Sequence, residues 1–384
     1  MEADIAEVAS WRQELHRFPE LLYDLPRTAG FVADKLRAFG CDEVVTGVGR
    51  SGVVGVVHGR GGPGPVTALR ADMDALPITE ATPGPAHAST TAGRMHACGH
   101  DGHTAMLLGA ARRLCAERAF AGTAVLVFQP AEEGGAGARA MLADGLVARF
   151  GLSRVFGMHN LPGLPVGHFA TRAGPIMAAS DVFEVTVTGR GGHAAMPHRC
   201  ADPVLAGAAI VTALQSIASR TVDPLDSGVV SVTRFNAGSA RNAIPDKAVL
   251  SGTVRTLQPA TRDLVESRLG TIARATAEAH DTQAAVSYSR GYPVTINDPA
   301  SAAFAASVAR EVAATPDAVD ALTPPVMGAE DFAFMLEALP GAFVFIGNGD
   351  SAGLHSPSYD FADTALEHGI GFWTRLVTAA GGAA

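Results

Sequence analysis

The sequence predicts an α/β protein carrying a small inserted β-α-β-β-α-β unit, and three observations lead there. Short Val-rich runs bounded by Gly and Pro alternate with stretches whose apolar residues recur every three or four positions. The unbroken apolar run Thr123 to Gln129 (TAVLVFQ) has the composition of a buried parallel strand. The middle third then changes rhythm, with alternating strands grouped around two helical stretches, the split-βαβ order of a small open-faced sandwich.

In chain order, Ile5 to Phe18 and Arg27 to Phe39 read as helices, the second stopped by Gly40. Val53 to His58 and Val66 to Arg70 read as strands, the latter running straight into Asp72-Met73-Asp74. A helix from about His103 to Leu114 precedes the Thr123 strand. Within the insertion, Asp181 to Thr188, Gly228 to Phe235, Ala248 to Thr256 and Gln283 to Ser289 are extended, while Pro203 to Arg220 and Arg262 to His280 are helical. Pro299 to Ala314 returns to helix and Phe343 to Ile346 to a buried strand. The expected division is a discontinuous larger domain, 1–178 and 291–384, around an insert at 179–290.

Composition narrows the function classes. With 384 residues, 47% of them apolar and 17% charged, the chain can bury a sizeable core in two domains. The net charge is −9, the only lysines are Lys35 and Lys247, and no basic run offers a nucleic-acid surface. The N-terminus lacks an apolar signal core, and Pro203 to Ala218 is interrupted by Thr212, Gln215 and Ser216. A cytoplasmic protein without a membrane partner is expected. Cys41, Cys98, Cys115 and Cys200 lie too far apart in the chain to suggest a disulfide framework, so a special cysteine is more readily a ligand or nucleophile.

The segment Met95 to His103 (MHACGHDGH) packs three histidines, a cysteine and an aspartate into nine positions. Cys98 and His100 could face one ion, a thiolate and imidazole suiting zinc, and added carboxylates admitting manganese or cobalt. Glu132 and Glu133 follow the Thr123 strand, at the carboxyl end where α/β sites form. His159 ends another apolar run and His355 lies in a late loop; either alone is more often a structural histidine. Together, one cysteine, three histidines and a glutamate suffice for two ions. Asp72 and Asp74 suit two roles equally, accepting ring N–H bonds from ligating histidines or capping a turn.

The strings ALRADMDALPI (Ala68 to Ile78), MHACGHDGHTAMLLGAA (Met95 to Ala111), FQPAEEGGAGA (Phe128 to Ala138), GMHN (Gly157 to Asn160), GRGGHAAMPH (Gly189 to His198), RNAIPD (Arg241 to Asp246), GAEDF (Gly328 to Phe332) and HSPSYDF (His355 to Phe361) add a resemblance. They are similar to the aminoacylase and hippurate hydrolase branch of the aminoacylase/carboxypeptidase G2 metallopeptidase family, which also holds the plant auxin-conjugate hydrolases. The similarity runs from about Leu15 to the C-terminus.

This resemblance implies a zinc-exopeptidase-like catalytic domain, its mixed sheet flanked by helices, and a ferredoxin-like lid that also dimerises. It implies two divalent transition-metal ions, Mn, Zn or Co, held by Cys98, His100, Glu133, His159 and His355, with Cys98 as the bridge. Glu132 matches the general base. His193, in GRGGH, matches a histidine that reaches into the neighbouring subunit's site, and Asn242 and Arg255 match substrate-contacting positions. One departure is Leu25-Pro26 in place of a more usual polar pair, at a helix start.

The implied reaction is cleavage of an N-acetyl- or N-benzoyl-amino acid to an amino acid and a carboxylic acid. Carboxypeptidase, dipeptidase and N-acetyl-diaminopimelate deacetylase activities remain alternatives. A cysteine-nucleophile hydrolase built on Cys98 and His100 leaves Glu133, His159 and His355 without a task. A metal-stabilised dimeric binding protein would have no use for Glu132.

Overall fold

The computed structural model describes residues 2–82 and 84–380. Its chain divides into two compact units: 1–174 with 296–324 and 331–384, and 175–295 with 325–330.

The larger unit is built on an eight-stranded mixed sheet. Its strand order is Glu43–Val48, Gly52–His58, Thr123–Gln129, Val66–Asp72, Arg154–Leu161, Gly341–Gly347, Phe169–Ala170 and Val319–Asp320. Four consecutive central strands, from Thr123–Gln129 to Gly341–Gly347, are mutually parallel. The Gly52–His58 strand pairs antiparallel with Thr123–Gln129, so the predicted parallel strand is parallel on one edge only. The helices Glu2–Arg17, Pro26–Phe39, His100–Glu117, Pro299–Val312 and Leu366–Ala380 contribute to its hydrophobic core.

The His100–Glu117 helix is buried along most of its length, which its small residues permit. A Cβ on Gly109 would sit 2.6 Å from Ile370 Cδ1, so glycine there sets how closely this helix meets Leu366–Ala380. The Leu25-Pro26 departure has a local solution. Pro26 occupies the first turn of its helix, where no N–H is required, and the Glu20 carboxylate accepts from Arg27 N at 3.1 Å and Thr28 N at 2.8 Å.

Asn297, fully buried, stitches the two chain segments that lead into and out of the insert. Its side-chain amide donates to Arg172 O at 2.9 Å and Phe343 O at 3.0 Å, and its Oδ1 accepts from Phe343 N at 2.7 Å.

The smaller unit is a four-stranded antiparallel sheet, ordered Gly228–Ala237, Lys247–Thr256, Ala179–Thr188 and Gln283–Arg290. Two helices, Pro203–Ser216 and Pro259–Glu278, share a core with it. Inward Phe183, Val185 and Val187 alternate with more exposed neighbours, the period-two pattern that the sequence showed. Asp181, buried, accepts from Arg262 and from Tyr288 Oη at 2.7 Å.

Pro203–Ser216 continues through a π turn to Thr221, and this stretch is long and apolar enough to cross a membrane by length and composition. Ala206, Ile210, Leu214 and Ile217 from it are nonetheless buried in the unit's core.

Candidate metal centre

Because the four central strands are parallel, their carboxyl ends share one edge, and each delivers residues there. Val66–Asp72 ends in Asp72; Thr123–Gln129 leads through Pro130 and Ala131 into Glu132 and Glu133; Arg154–Leu161 carries His159 and Asn160 near its end. The loop after Gly341–Gly347 carries His355. The fifth contribution comes from Cys98, one residue before Gly99, whose φ of 87° turns the chain into the helix that begins at His100.

The local backbone is strained at three of these points. Ala131, Ala136 and His355 are non-glycine residues with φ of 53°, 55° and 64°. Such conformations cost about 1–3 kcal/mol each and persist where surrounding contacts enforce them. Here Asp74 supplies one restraint: its carboxylate accepts from Glu132 N at 2.9 Å and Glu133 N at 3.1 Å, holding the turn that presents both glutamates.

The candidate ligand atoms converge in two overlapping groups. Cys98, His100 and His159 place one donor atom each within 4.8 Å of one another, and so do Cys98, Glu133 and His355. Cys98 belongs to both groups. Its Sγ is 3.4 Å from His159 Nε2, and His355 Nε2 is 3.3 Å from Glu133 Oε1. Glu132 joins His100 and Glu133 in a third such group.

The histidine orientations suit metal binding. His100 Nδ1 is 2.7 Å from the Asp74 carbonyl and His159 Nδ1 is 2.7 Å from the Asn160 carbonyl. A carbonyl only accepts, so each Nδ1 carries the proton and each Nε2 is left with a lone pair. His100 Nε2 is buried and, among the described residues, has no hydrogen-bond partner. A cation would satisfy it.

The electrostatics favour positive charge at this point. Burial opposes ionisation of Asp72, but His100 and Arg70 hold its carboxyl well below the usual range. Burial also opposes a charged His100, yet Asp72 and Asp74 outweigh it and raise its affinity for a proton, which a metal cation would displace. His159 is held neutral by burial and by neighbouring His103. His355 is pushed up to about 10 by hydrogen bonding to Cys98 and Glu133.

Several positioning residues were not assigned from sequence. His103 is one: its Nδ1 donates to Asp72 Oδ1 at 2.6 Å, and its Nε2 accepts from Asn160 N at 2.9 Å. Asn160 also donates to Cys98 O at 2.7 Å and accepts from Tyr359 Oη at 2.7 Å, so one amide ties two loops to the end of its strand. Arg70 donates to Gln129 Oε1 at 2.8 Å, Asp72 Oδ2 at 2.8 Å and Asp331 Oδ1 at 3.1 Å, all four side chains being buried. Their signal was visible in the strings ALRAD, FQPAEE and GAEDF, each contributing a polar residue in an apolar setting.

The expected roles of the two aspartates need refinement. The Asp72 carboxylate orients His103, which was not among the expected ligands, and reaches His100 Nε2 only at 3.6 Å. Asp74 orients His100 through its backbone carbonyl, while its carboxylate caps the glutamate turn. A carboxylate has two acceptor oxygens, and here each accepts from one of two successive backbone N–H groups.

The smaller unit brings His193 and Asn242 together. The short strand Gly192–His193 pairs with Ala243–Ile244, and Ala194 N donates to Asn242 O at 3.0 Å. His193 and Asn242 are exposed. Arg255 lies near the other end of Lys247–Thr256, opposite Ser180, with burial lowering its proton affinity. The eight residue steps from Lys247 to Arg255 span roughly 25 Å of extended chain.

Known proteins resemble this chain in sequence and in fold. Residues 68–379 match the family model described as peptidase family M20/M25/M40. A hippurate hydrolase of Campylobacter jejuni is 42% identical over 365 residues, covering 95% of this chain and 94% of that protein. An N-acetyl-L-cysteine deacetylase of Bacillus subtilis is 40% identical over 356 residues, covering 92% and 83%. A crystal structure from Bacillus subtilis, described as a dinuclear metal binding peptidase of the M20 family, superposes with a TM-score of 0.87 at 35% identity, covering 100% of both chains.

Proposed function

The chain belongs to peptidase family M20/M25/M40, and from that premise we propose that it is a metal-dependent amidohydrolase that cleaves N-acyl-amino acids to an amino acid and a carboxylic acid. The observation that carries this reading is the convergence of Cys98, His100, Glu133, His159 and His355 around one shared sulfur, with Glu132 beside them. The relatives named as a hippurate hydrolase and an N-acetyl-L-cysteine deacetylase support the substrate class.

Cys98, His100 and His159 would hold one divalent ion, and Cys98, Glu133 and His355 a second. Mn, Zn and Co all accept this donor set. Bound there, the ions would polarise the amide carbonyl and acidify the attacking water.

The chain's own residues do the rest. Glu132 takes the proton of the attacking water and returns it to the leaving nitrogen. Its backbone is anchored by Asp74, so the carboxylate is presented without reorganisation. The fixed tautomers of His100 and His159 keep their Nε2 atoms aimed inward.

His193 would stabilise the developing oxyanion, and Asn242 and Arg255 would bind the substrate carboxylate. The spacing in the smaller unit supports a shared site. His193 and Asn242 stand at one end of the Lys247–Thr256 strand and Arg255 near the other, roughly 25 Å apart. One small substrate could meet all three only if two subunits contribute, with His193 and Asn242 from one and Arg255 from the other. A homodimer in the cytoplasm is therefore the proposed working form, with the smaller unit as its lid and dimerisation domain.

The test is hydrolysis of a panel of N-acetyl-amino acids, N-benzoyl-amino acids and dipeptides by chelated enzyme and by enzyme reloaded with Mn, Zn or Co. Turnover of the acyl-amino acids should vanish on chelation and return with metal. Undiminished turnover by metal-free protein, or turnover of dipeptides alone, would contradict the proposal.

A further inference from the structure

The structure brings together two cysteines that the sequence separates by 74 positions: Cys41 Sγ and Cys115 Sγ are 3.5 Å apart. Cys41 follows Gly40, the left-handed cap of the Pro26–Phe39 helix, and Cys115 lies in the last turn of the His100–Glu117 helix. Cys41 is half-buried and Cys115 buried, both unbonded thiols against the main core. Neither takes part in the candidate metal centre. His100, at the far end of the second helix, is 15 residues from Cys115, or roughly 22 Å along the axis.

One side chain clasps the two cysteine-bearing segments. Arg118 donates to Gly40 O at 2.7 Å and Asp42 Oδ2 at 2.7 Å on one side, and to Cys115 O at 3.2 Å on the other. The residues flanking Cys41 are thereby tied to the residue that bears the second sulfur. The sulfurs need to approach by about 1.5 Å to reach bonding distance, a movement that side-chain rotation can supply.

We propose that Cys41 and Cys115 form a redox-modification site that closes to an intramolecular disulfide when hydrogen peroxide oxidises the pair. Cys115 is the nucleophile. The hydrogen bond from Cys41 lowers the affinity of its sulfur for a proton, burial opposes this, and the Arg118 guanidinium adds to the lowering. The Cys115 thiolate attacks one peroxide oxygen, the O–O bond breaks, and hydroxide leaves a sulfenic acid behind. The Cys41 sulfur then attacks the sulfenic sulfur; the S–S bond forms, the S–O bond breaks, and water departs. The Cys41 proton and the Cys115 proton end in the two waters formed. The sulfur pair has lost two electrons, which the peroxide oxygens have gained.

A small oxidant suits a nucleophile whose residue is only 8% exposed. The cross-link joins the C-terminal ends of two core helices and leaves the His100 end of the second in place. In a reducing compartment it would be transient.

The test uses the full-length, metal-loaded protein treated with hydrogen peroxide, alkylated with iodoacetamide, digested without reduction and mapped by mass spectrometry. We expect a Cys41–Cys115 cross-linked peptide about 2 Da lighter than the two thiol peptides combined, reversed by dithiothreitol. It should be absent from Cys41→Ser. The oxidised wild type should also melt several degrees above the reduced form while retaining its activity. Recovery of Cys41 and Cys115 both alkylated after other thiols have oxidised would overturn the proposal. So would Cys115 driven to sulfinic acid with Cys41 free. Both outcomes are read from the wild type, so the test survives a variant that does not fold.

Discussion

His16 should make the larger unit lose stability between pH 6.5 and 9.5. It is fully buried, with Nδ1 2.8 Å from Asp101 Oδ2 and Nε2 3.4 Å from Glu80 Oε1. Arg12, with Nη1 3.6 Å from the same Asp101 oxygen, and His87 and His96, ring centroids 5.3 Å and 6.3 Å away, complete its surroundings. Burial disfavours the imidazolium, but Asp101 and Glu80 outweigh it and raise His16 from 6.5 to about 9. A group whose folded pKa is raised contributes stability that is complete below its unfolded value and is lost as pH rises through the folded one. The interval from 6.5 to about 9, at about 1.4 kcal/mol per pH unit, amounts to about 3 kcal/mol. Full burial leaves solvent little scope to screen it. The assay is urea unfolding of wild type and His16→Asn at pH 6.5, 8 and 9.5. Wild type should lose about 3 kcal/mol across this range relative to the variant, whose own stability is lower throughout. Parallel pH profiles for the two proteins would refute the assignment of a charged His16.

Four further outcomes follow from the candidate site. Glu132→Gln should retain its metals yet lose about 10²–10⁴-fold in kcat, because an amide cannot accept the water proton; comparable turnover would remove the role. Cys98→Ser should hold less metal than serine variants of Cys41, Cys115 or Cys200, measured by elemental analysis, since a serine hydroxyl remains protonated where a bound thiol does not. Asp74→Asn should cost about 1–3 kcal/mol and weaken metal affinity, because its amide donor would face one of the two N–H groups that the carboxylate now serves; calorimetry with metal titration reads both effects. Mixed and exchanged subunits of Glu132→Gln and His193→Ala should recover about a quarter of wild-type activity if His193 acts in trans, and none if it acts within its own subunit.

Much of this was legible from sequence because the signals were local. The buried run Thr123–Gln129 and the alternation in Ala179–Thr188 carry their periodicity within a few residues, and both are strands. The five candidate ligands stood out as metal-binding residue types after apolar runs or in compact motifs, and the structure brings all five together. What escaped was organised by contacts distant in sequence. The Glu43–Val48 strand alternates weakly and is fixed by pairing with Gly52–His58. The Arg70 network links residues 59 and 261 positions apart, and nothing in any one segment announces the others. The Cys41–Cys115 contact escaped for the same reason, since spacing in the chain says little about two sulfurs that helix packing brings side by side.

The stitch made by Asn297 bears on how the chain reaches this structure. From Pro175 to Thr295 the insert amounts to a loop of about 120 residues, and closing so long a loop before either end has found its place is entropically costly and slow. The insert has its own core, so it can collapse first and bring its two ends close, after which Asn297 meets Arg172 and Phe343 as near neighbours. The Gly341–Gly347 strand, which receives two of Asn297's bonds through Phe343, would then add to the sheet late. An Asn297→Ala substitution should therefore slow assembly of the larger unit more than that of the smaller, a difference that hydrogen exchange during refolding would resolve strand by strand.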